Sequence, residues 1–258
     1  MKNVLLTISY DGTGFSGWQR QPGRRTVQGE LERVLSVLCG QEIQINGTSR
    51  TDAGVHALGQ RASFKGAFGI PVERMAQAAN NLLAAGLGLG KTAVGDVRIL
   101  EAREVDSEFH ARFSSRGKRY VYRIRDSRQP DLFQRNYCYQ VRRRLDEQAM
   151  ALAAEHVVGE HDFRCFMAAG GKEMESTVRR IYGLDVRREG DELLLSVSGN
   201  GFLYNMVRII AGTLTEVGMG RRRPEELKAI IERADRRYAG HTAPPQGLYL
   251  MEVFYEDQ

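Results

Sequence analysis

Val4-Leu5-Leu6-Thr7-Ile8-Ser9-Tyr10 sets the architecture, because Val4, Leu6 and Ile8 fall on one side of the run and Leu5, Thr7 and Ser9 on the other. That two-residue period is the mark of a strand. From Thr26 the period lengthens: Val27, Leu31, Val34, Leu35 and Leu38 recur at helical spacing, and Gly40 stops the helix just beyond. Two strand-like runs follow around a charged turn, one at Ile43 and Ile45 and one ending at Phe64. A second helix is predicted to begin at Pro71, with Val72, Met75, Ala76, Ala79, Leu82 and Leu83 on one face, and Val97 to Val105 closes the half as a strand. Strand, helix, strand, strand, helix, strand is the split βαβ arrangement.

The second half repeats that order less cleanly. Tyr120, Tyr122 and Ile124 alternate with Val121 and Arg123 as a strand. Asp146 can cap a helix whose apolar face is Met150, Ala153, Ala154, Val157 and Val158. Strands are predicted at Val178 to Arg187 and Leu193 to Ser198, a helix from about Phe202, a helix opened by Pro224, and a last strand from Leu248 to Tyr255. The expected fold class is therefore α/β (α+β): two similar split-βαβ, ferredoxin- or RRM-like halves, residues 1–106 and 107–258. They are expected to form an extended, mostly antiparallel sheet flanked by helices, with an active-site cleft between them.

Composition narrows the function. The 258 residues are 42% hydrophobic and 27% charged, as in globular proteins. No apolar run approaches the roughly 18 residues that span a bilayer. The start turns polar at Thr7, Ser9 and Asp11, too soon for a secretory signal. Cys39, Cys138 and Cys165 lie far apart and make no C-x-x-C pair, so neither a disulfide framework nor a zinc site is suggested, and a reducing cytoplasm fits. The five histidines make no metal-ligand spacing either. A formal charge of +5 favours a polyanionic partner. Basic clusters such as Arg116-Gly117-Lys118-Arg119, Arg142-Arg143-Arg144 and Arg221-Arg222-Arg223 recur at element ends and suit a surface that follows an RNA backbone, although each alone is most often a solvated face.

Chemistry concentrates in Gly47-Thr48-Ser49-Arg50-Thr51-Asp52-Ala53-Gly54-Val55-His56-Ala57, which packs a guanidinium, a carboxylate and an imidazole between glycines. The same spacing also serves an ordinary turn, in which a short Asp bonds the amides that follow and Gly takes positive φ. The Gly-rich loop from Asp11 to Pro22 can track a ligand backbone while Phe15 or Trp18 stacks on a base; Trp18 can equally be packed beneath it. Arg208 lies one position off the apolar stripe of its helix, where it either snorkels to water or pairs with a buried carboxylate and favours its ionised form. Ala85-Gly86-Leu87-Gly88-Leu89-Gly90-Lys91-Thr92 looks like a phosphate-binding loop, but a helix precedes it and a strand follows, the reverse of what such a loop requires.

Seven motifs in chain order carry a resemblance to a family. They are Tyr10-Asp11-Gly12-Thr13 with Gly17-Trp18-Gln19-Arg20-Gln21; Ser49 to Ala57; Phe109-His110-Ala111-Arg112-Phe113-Ser114; Lys118-Arg119-Tyr120-Val121-Tyr122; His161-Asp162-Phe163; Gly201-Phe202-Leu203-Tyr204-Asn205-Met206-Val207-Arg208; and Thr242-Ala243-Pro244. Over nearly its whole length the chain resembles the tRNA pseudouridine synthases of the TruA type. The resemblance implies an isomerase that converts uridine to pseudouridine at positions 38, 39 and 40 of the tRNA anticodon stem-loop. It works as a homodimer with no metal or organic cofactor. By the same resemblance Asp52 is the catalytic aspartate, Arg50 helps hold the target nucleotide out of the stack, Tyr120 lines the uracil pocket and Arg208 pairs with Asp52. Arg20, Trp18, Arg112 and Leu203 fall in the same motifs as candidate substrate contacts. The chain departs from the pattern at Leu87 to Val94, Gly-rich where the family usually has a short Leu-Pro turn.

Two other classes fit parts of the pattern. A non-catalytic RNA-binding protein accounts for the charge and aromatics but not for Arg50, Asp52 and Arg208 together. A P-loop nucleotide hydrolase requires ATP or GTP at Lys91.

Overall fold

A computed structural model describes residues 1–88, 94–170 and 175–256. They divide into two compact units, Met1–Arg116 with Leu250–Gln258, and Gly117–Tyr249. Among the described residues ten strands form open, mostly antiparallel sheet flanked by helices, so the mixed α/β class expected from the sequence is borne out.

In the first unit β1 (Lys2–Tyr10), α1 (Val27–Cys39), β2 (Asn46–Gly47), β3 (His56–Gly66), α2 (Val72–Gly86) and β4 (Val97–Val105) follow in order. β1 is central: Leu6 lies opposite Ala62 of β3 on one side and Ala102 of β4 on the other, both antiparallel. A strand paired on both sides and covered on both faces needs apolar side chains on each, and Val4, Leu5, Leu6 and Ile8 are all buried, with Leu5 packed against Phe109 and Ala111 of the segment after β4. Thr26 Oγ1 accepts from the Gly29 amide at 3.3 Å to cap α1, and Gly40 ends it with φ 64°. Asn80 ties α2 to the sheet, its side chain exchanging two 2.8 Å hydrogen bonds with the backbone of Ile99.

The run at Ile43 and Ile45 is not a strand. Both side chains are buried, but the Ile43 amide donates to Ser36 Oγ at 2.9 Å and the Ile45 amide to Glu32 Oε1 at 3.0 Å. Side chains of α1 take the backbone donors that a partner strand would have taken, and pairing with β3 begins only at Asn46.

The second unit contains β5 (Gly117–Arg125), β6 (Tyr139–Gln140), α3 (Glu147–Glu155), β7 (Gly159–Asp162), β8 (Val178–Glu189), β9 (Glu192–Gly199), α4 (Met206–Gly218) and α5 (Glu226–Arg233). Its strands run in the order β5-β9-β8-β7, antiparallel, with β6 added to β5 in parallel. β10 (Leu248–Phe254) follows, and from Leu250 onward it belongs to the first unit, where it lies beside β3. Asp146 Oδ1 accepts from the Ala149 amide at 3.0 Å, the expected cap. α3 stops at Glu155, short of Val157 and Val158; the first is buried all the same and the second exposed. α4 starts four residues later than Phe202 because Asn205, at φ 60°, sits outside helical space. β6 and β7 were not expected, since two residues, or the polar run Gly159-Glu160-His161-Asp162, show no apolar alternation. Among the described residues no helix is long and apolar enough to cross a membrane.

The second unit is braced by a buried ion pair. Arg188 donates to both oxygens of Asp126 at 2.7 and 2.9 Å, and the Leu145 amide donates to Asp126 Oδ2 at 2.8 Å. Removing one partner of such a pair leaves the other charge unmatched, so Asp126→Ala is expected to cost about 3 kcal/mol. Urea unfolding followed by fluorescence measures this; a loss below about 0.5 kcal/mol would show that the pair adds nothing to folding.

Candidate active site

Residues 48 to 55 bridge β2 and β3, and the backbone of the buried residues Thr48, Ser49 and Thr51 is tied to neighbouring segments. Thr48 is buried; its amide donates to Arg61 O at 2.9 Å and its hydroxyl donates to Ala111 O at 3.0 Å. Ser49 is buried and bonded through its backbone to the side chain of Gln60. Thr51 is held twice: its Oγ1 lies 2.7 Å from the Tyr10 hydroxyl, and its carbonyl accepts from the Trp18 amide at 3.0 Å. Asp52 heads a tight turn in which its carbonyl accepts from Val55 N at 3.2 Å, with Gly54 at φ 80°. The turn reading of Asp52 thus holds for the backbone, and the residue itself is half-buried.

The Gly-rich loop after β1 is fitted against this bridge. A Cβ at Gly12 would come within 2.0 Å of Val55 O, and one at Gly17, whose φ is 87°, within 2.7 Å of Thr51 O. Only glycine allows the two backbones so close. His56 joins the same two segments: its Nδ1 accepts from the Gly12 amide at 3.1 Å and lies 3.3 Å from Asp11 Oδ1. Trp18 is packed beneath the loop at 2% exposure, and a Cβ at Gly47 would meet its indole nitrogen at 2.4 Å. Arg20 and Arg50 are exposed; Arg20 pairs with the buried carboxylate of Glu32 at 3.1 Å. Arg112 is exposed beside Phe113, whose ring is 77% exposed and stacks on His110 at 4.4 Å between centroids.

In the second unit Tyr120 and Tyr122 share a face of β5. Tyr120 is buried with its ring edge-on to Phe202, centroids 5.1 Å apart. The Tyr122 hydroxyl donates to Pro244 O at 2.7 Å, and burial holds its phenol well above the ordinary value, so that donor proton stays in place. Arg208, half-buried on α4, donates through Nε to Ala243 O at 2.8 Å and through Nη1 to Asn205 Oδ1 at 2.7 Å. Its own carbonyl accepts from the Ala243 amide at 3.0 Å. The segment through Ala243 therefore crosses α4 closely, and a Cβ at Gly212 would fall 1.9 Å from His241 O. Arg208 does more than snorkel: protein acceptors fix its guanidinium. Leu203 is buried in the turn that precedes α4.

Among the described residues no three His, Cys, Asp or Glu side chains gather as a metal site. The glycine-rich segment after α2 has the helix before it and β4 after it; Lys91 and its neighbours, residues 89–93, lie outside the described residues. The sequence reading missed Gln60 and the Tyr10 hydroxyl, both polar groups in strands otherwise read for their apolar residues.

A profile of the tRNA pseudouridine synthase family matches residues 6–114 and 153–256. The chain belongs to that family. Among its relatives, tRNA pseudouridine synthase A of Caldicellulosiruptor bescii is 43% identical over 255 residues, 99% of this chain and 100% of the relative. That of Acetivibrio thermocellus is 45% identical over the same shares, and that of Halalkalibacterium halodurans 48% identical over 249 residues, 96% of this chain and 90% of the relative. Among solved structures, the archaeal box H/ACA sRNP Nop10–Cbf5 complex aligns with a TM-score of 0.38 at 11% identity, covering 97% of this chain and 49% of that one. As a tRNA pseudouridine synthase the protein is an isomerase that turns uridine into pseudouridine in tRNA.

In this synthase the Tyr10 hydroxyl is one of two bonds on Thr51. Tyr10→Phe is expected to destabilise the protein by about 1 kcal/mol, since Thr51 Oγ1 would stay buried without that partner. Guanidinium unfolding with an unchanged m value reads this directly; no shift in midpoint would mean the bond has no net worth.

Proposed function

We propose that the synthase acts on uridines of the tRNA anticodon stem-loop, at positions 38, 39 and 40, and that Asp52 begins the reaction. The observation that carries this reading is the bridge around Asp52, a single carboxylate heading a turn whose preceding residue is pinned by both Tyr10 and Trp18. A carboxylate held in that way has little freedom to lose when it meets the sugar.

The isomerisation breaks a glycosidic C–N bond, turns the uracil and rejoins it through carbon. Nothing is oxidised and no group is lost, so the chemistry calls for no redox cofactor. Asp52 either attacks the sugar carbon as a nucleophile or removes a neighbouring sugar proton to give an unsaturated intermediate. Both routes need an ionised carboxylate, and the proposal includes Arg208 as its ion-pair partner. Tyr120 offers a ring for the freed uracil and a hydroxyl to take the final proton from carbon. Arg50 holds the nucleotide out of the helix, a displacement that costs a few kcal/mol, which phosphate contacts from the arginine clusters offset. Arg20 and Arg112, both exposed, complete the proposed substrate contacts, while Trp18 and Leu203 are buried and contribute packing instead.

The same proposal assigns the Asp loop to residues 1–106 and the Tyr strand and Arg helix to residues 107–258. It also takes the working form to be a cytoplasmic homodimer in which one tRNA touches both subunits.

Purified protein incubated with an unmodified tRNA transcript, without metal or nucleotide, tests the reading. Pseudouridine is expected only in the anticodon stem-loop. Asp52→Asn is expected to bind tRNA near normally and form none, and normal conversion by that variant would sink the assignment. Tyr120→Phe is expected to keep stacking but slow product formation. An unimpaired rate would remove the proton-acceptor role.

A further inference from the structure

Gln60 lies on β3 at 0% exposure, and Ser49, the residue its side chain bonds, stands three positions before the proposed catalytic carboxylate Asp52. Its Oε1 accepts from the Ser49 amide at 3.3 Å and from the Arg61 amide at 3.1 Å, and its Nε2 donates to Ser49 O at 2.8 Å. A buried amide must find partners somewhere. What sets this one apart is that both ends of the side chain reach the backbone of one residue, Ser49, in the bridge that carries Asp52. The amide's orientation follows from those partners, because Ser49 N–H needs an acceptor and Ser49 C=O a donor.

The clamp is mounted on a fixed base. Ile8 lies opposite Gln60 but Tyr10 lies opposite Ala57, so β3 carries one residue more than β1 at this place. Such a bulge re-aims a side chain. Next to it, a Cβ at Gly59 would come within 2.2 Å of Met251 O, so the β3 backbone here is seated closely on β10. Ser49 is then held by β3, and Thr51 by β1 and the Trp18 amide. With both residues tied, the chain between them cannot swing, and Asp52 projects from the end of a two-point mount.

We propose that Gln60 is a positioning residue for the isomerisation: it fixes Ser49 and through it the placement of the Asp52 carboxylate. The inference rests on Asp52 as the initiating group. Releasing the Ser49 clamp leaves the loop to pivot about Thr51, and a misplacement on the order of 1 Å costs on the order of 100-fold in rate.

Gln60→Glu separates positioning from folding. It keeps the size and the acceptor for Ser49 N–H, but an ionised carboxylate sets a second oxygen against Ser49 O, whereas the protonated form restores a donor. Burial raises a carboxyl group's pKa, which brings that switch toward neutral pH. Steady-state kcat and KM for tRNA are measured from about pH 6 to pH 8 for wild type, Gln60→Glu, Gln60→Leu and Asp52→Asn, with melting curves at each pH. At pH 8, Gln60→Glu is expected to lose at least about tenfold in kcat with KM near wild type. Its kcat relative to wild type then rises as the pH falls, while Gln60→Leu stays slow throughout. A kcat for Gln60→Glu equal to wild type at pH 8, or a ratio to wild type flat across the range, overturns the proposal, as does a lowered melting temperature with normal kcat in the folded protein. The Asp52→Asn arm is independent: if that variant converts uridine normally, the Asp52 reading fails whatever Gln60 does, and if it is inactive while Gln60→Glu behaves as wild type, the positioning role alone fails.

Discussion

Buried loop residues must satisfy their own backbone, and that constraint on Thr48, Ser49 and Thr51 shapes much of the first unit. Strand pairing cannot do it, since β2 ends at Gly47 and β3 begins at His56. Those buried donors and acceptors are met by a side chain, by a loop and by the backbone of β3: Gln60 for Ser49, Trp18 N–H for Thr51, Arg61 O for Thr48. Each unmet group would cost roughly 1–3 kcal/mol, so the bridge has few other conformations open to it. A segment that is irregular by secondary structure is in this way as fixed as a strand.

The second unit applies the same logic to a guanidinium. Arg208 has acceptors in Ala243 O and Asn205 Oδ1, and the first of these is itself held, because the Ala243 amide donates back to Arg208 O and the next carbonyl, of Pro244, accepts from Tyr122. Farther along, the Gly240 amide donates to Thr213 Oγ1 at 2.9 Å and the His241 amide to Glu216 Oε1 at 3.1 Å. Burial pushes the Glu216 carboxyl up, but hydrogen bonds from Arg222 and His241 outweigh it and hold the group below its usual range, ionised as an acceptor. Asn205 at φ 60° belongs to this arrangement: the backbone conformation that delays α4 also brings its amide oxygen to Arg208.

How far the sequence carried can be judged from particular residues. β1, α1 and β4 were legible because period and caps agree, as at Thr26 and Gly40. Ile43 and Ile45 misled because alternation reports burial, and burial here comes without a partner strand; the amides are taken by Ser36 and Glu32 of α1, which no local pattern encodes. The chemistry-bearing stretch around Asp52 stood out by residue type, and its membership of a tRNA pseudouridine synthase by motif order. Gln60 did not stand out. It is a lone amide in a strand whose bulge breaks the alternation just before it, so neither period nor composition marks it as facing Ser49. Trp18 shows the opposite case, an aromatic in a Gly-rich loop that composition suits to base stacking, while Gly47 leaves room for the indole to pack beneath.

The glycines explain why such a site can sit on loops at all. Gly12 and Gly17 let the loop after β1 lie directly on the Asp52 bridge, and Gly47 lets Trp18 fill the space below. The Tyr10-to-Trp18 segment thus supports the bridge from one side and β3 from the other. On the proposed reading this has a chemical consequence. The uracil must leave the sugar, turn and return to the same carbon, so the carboxylate is needed in one place before and after the base has moved. A carboxylate on a mobile loop would drift with the departing base; one carried on a bridge tied at Ser49 and Thr51 stays where the second bond must form. The substrate supplies the motion, and the packing of small residues around the bridge supplies the fixed point about which it occurs.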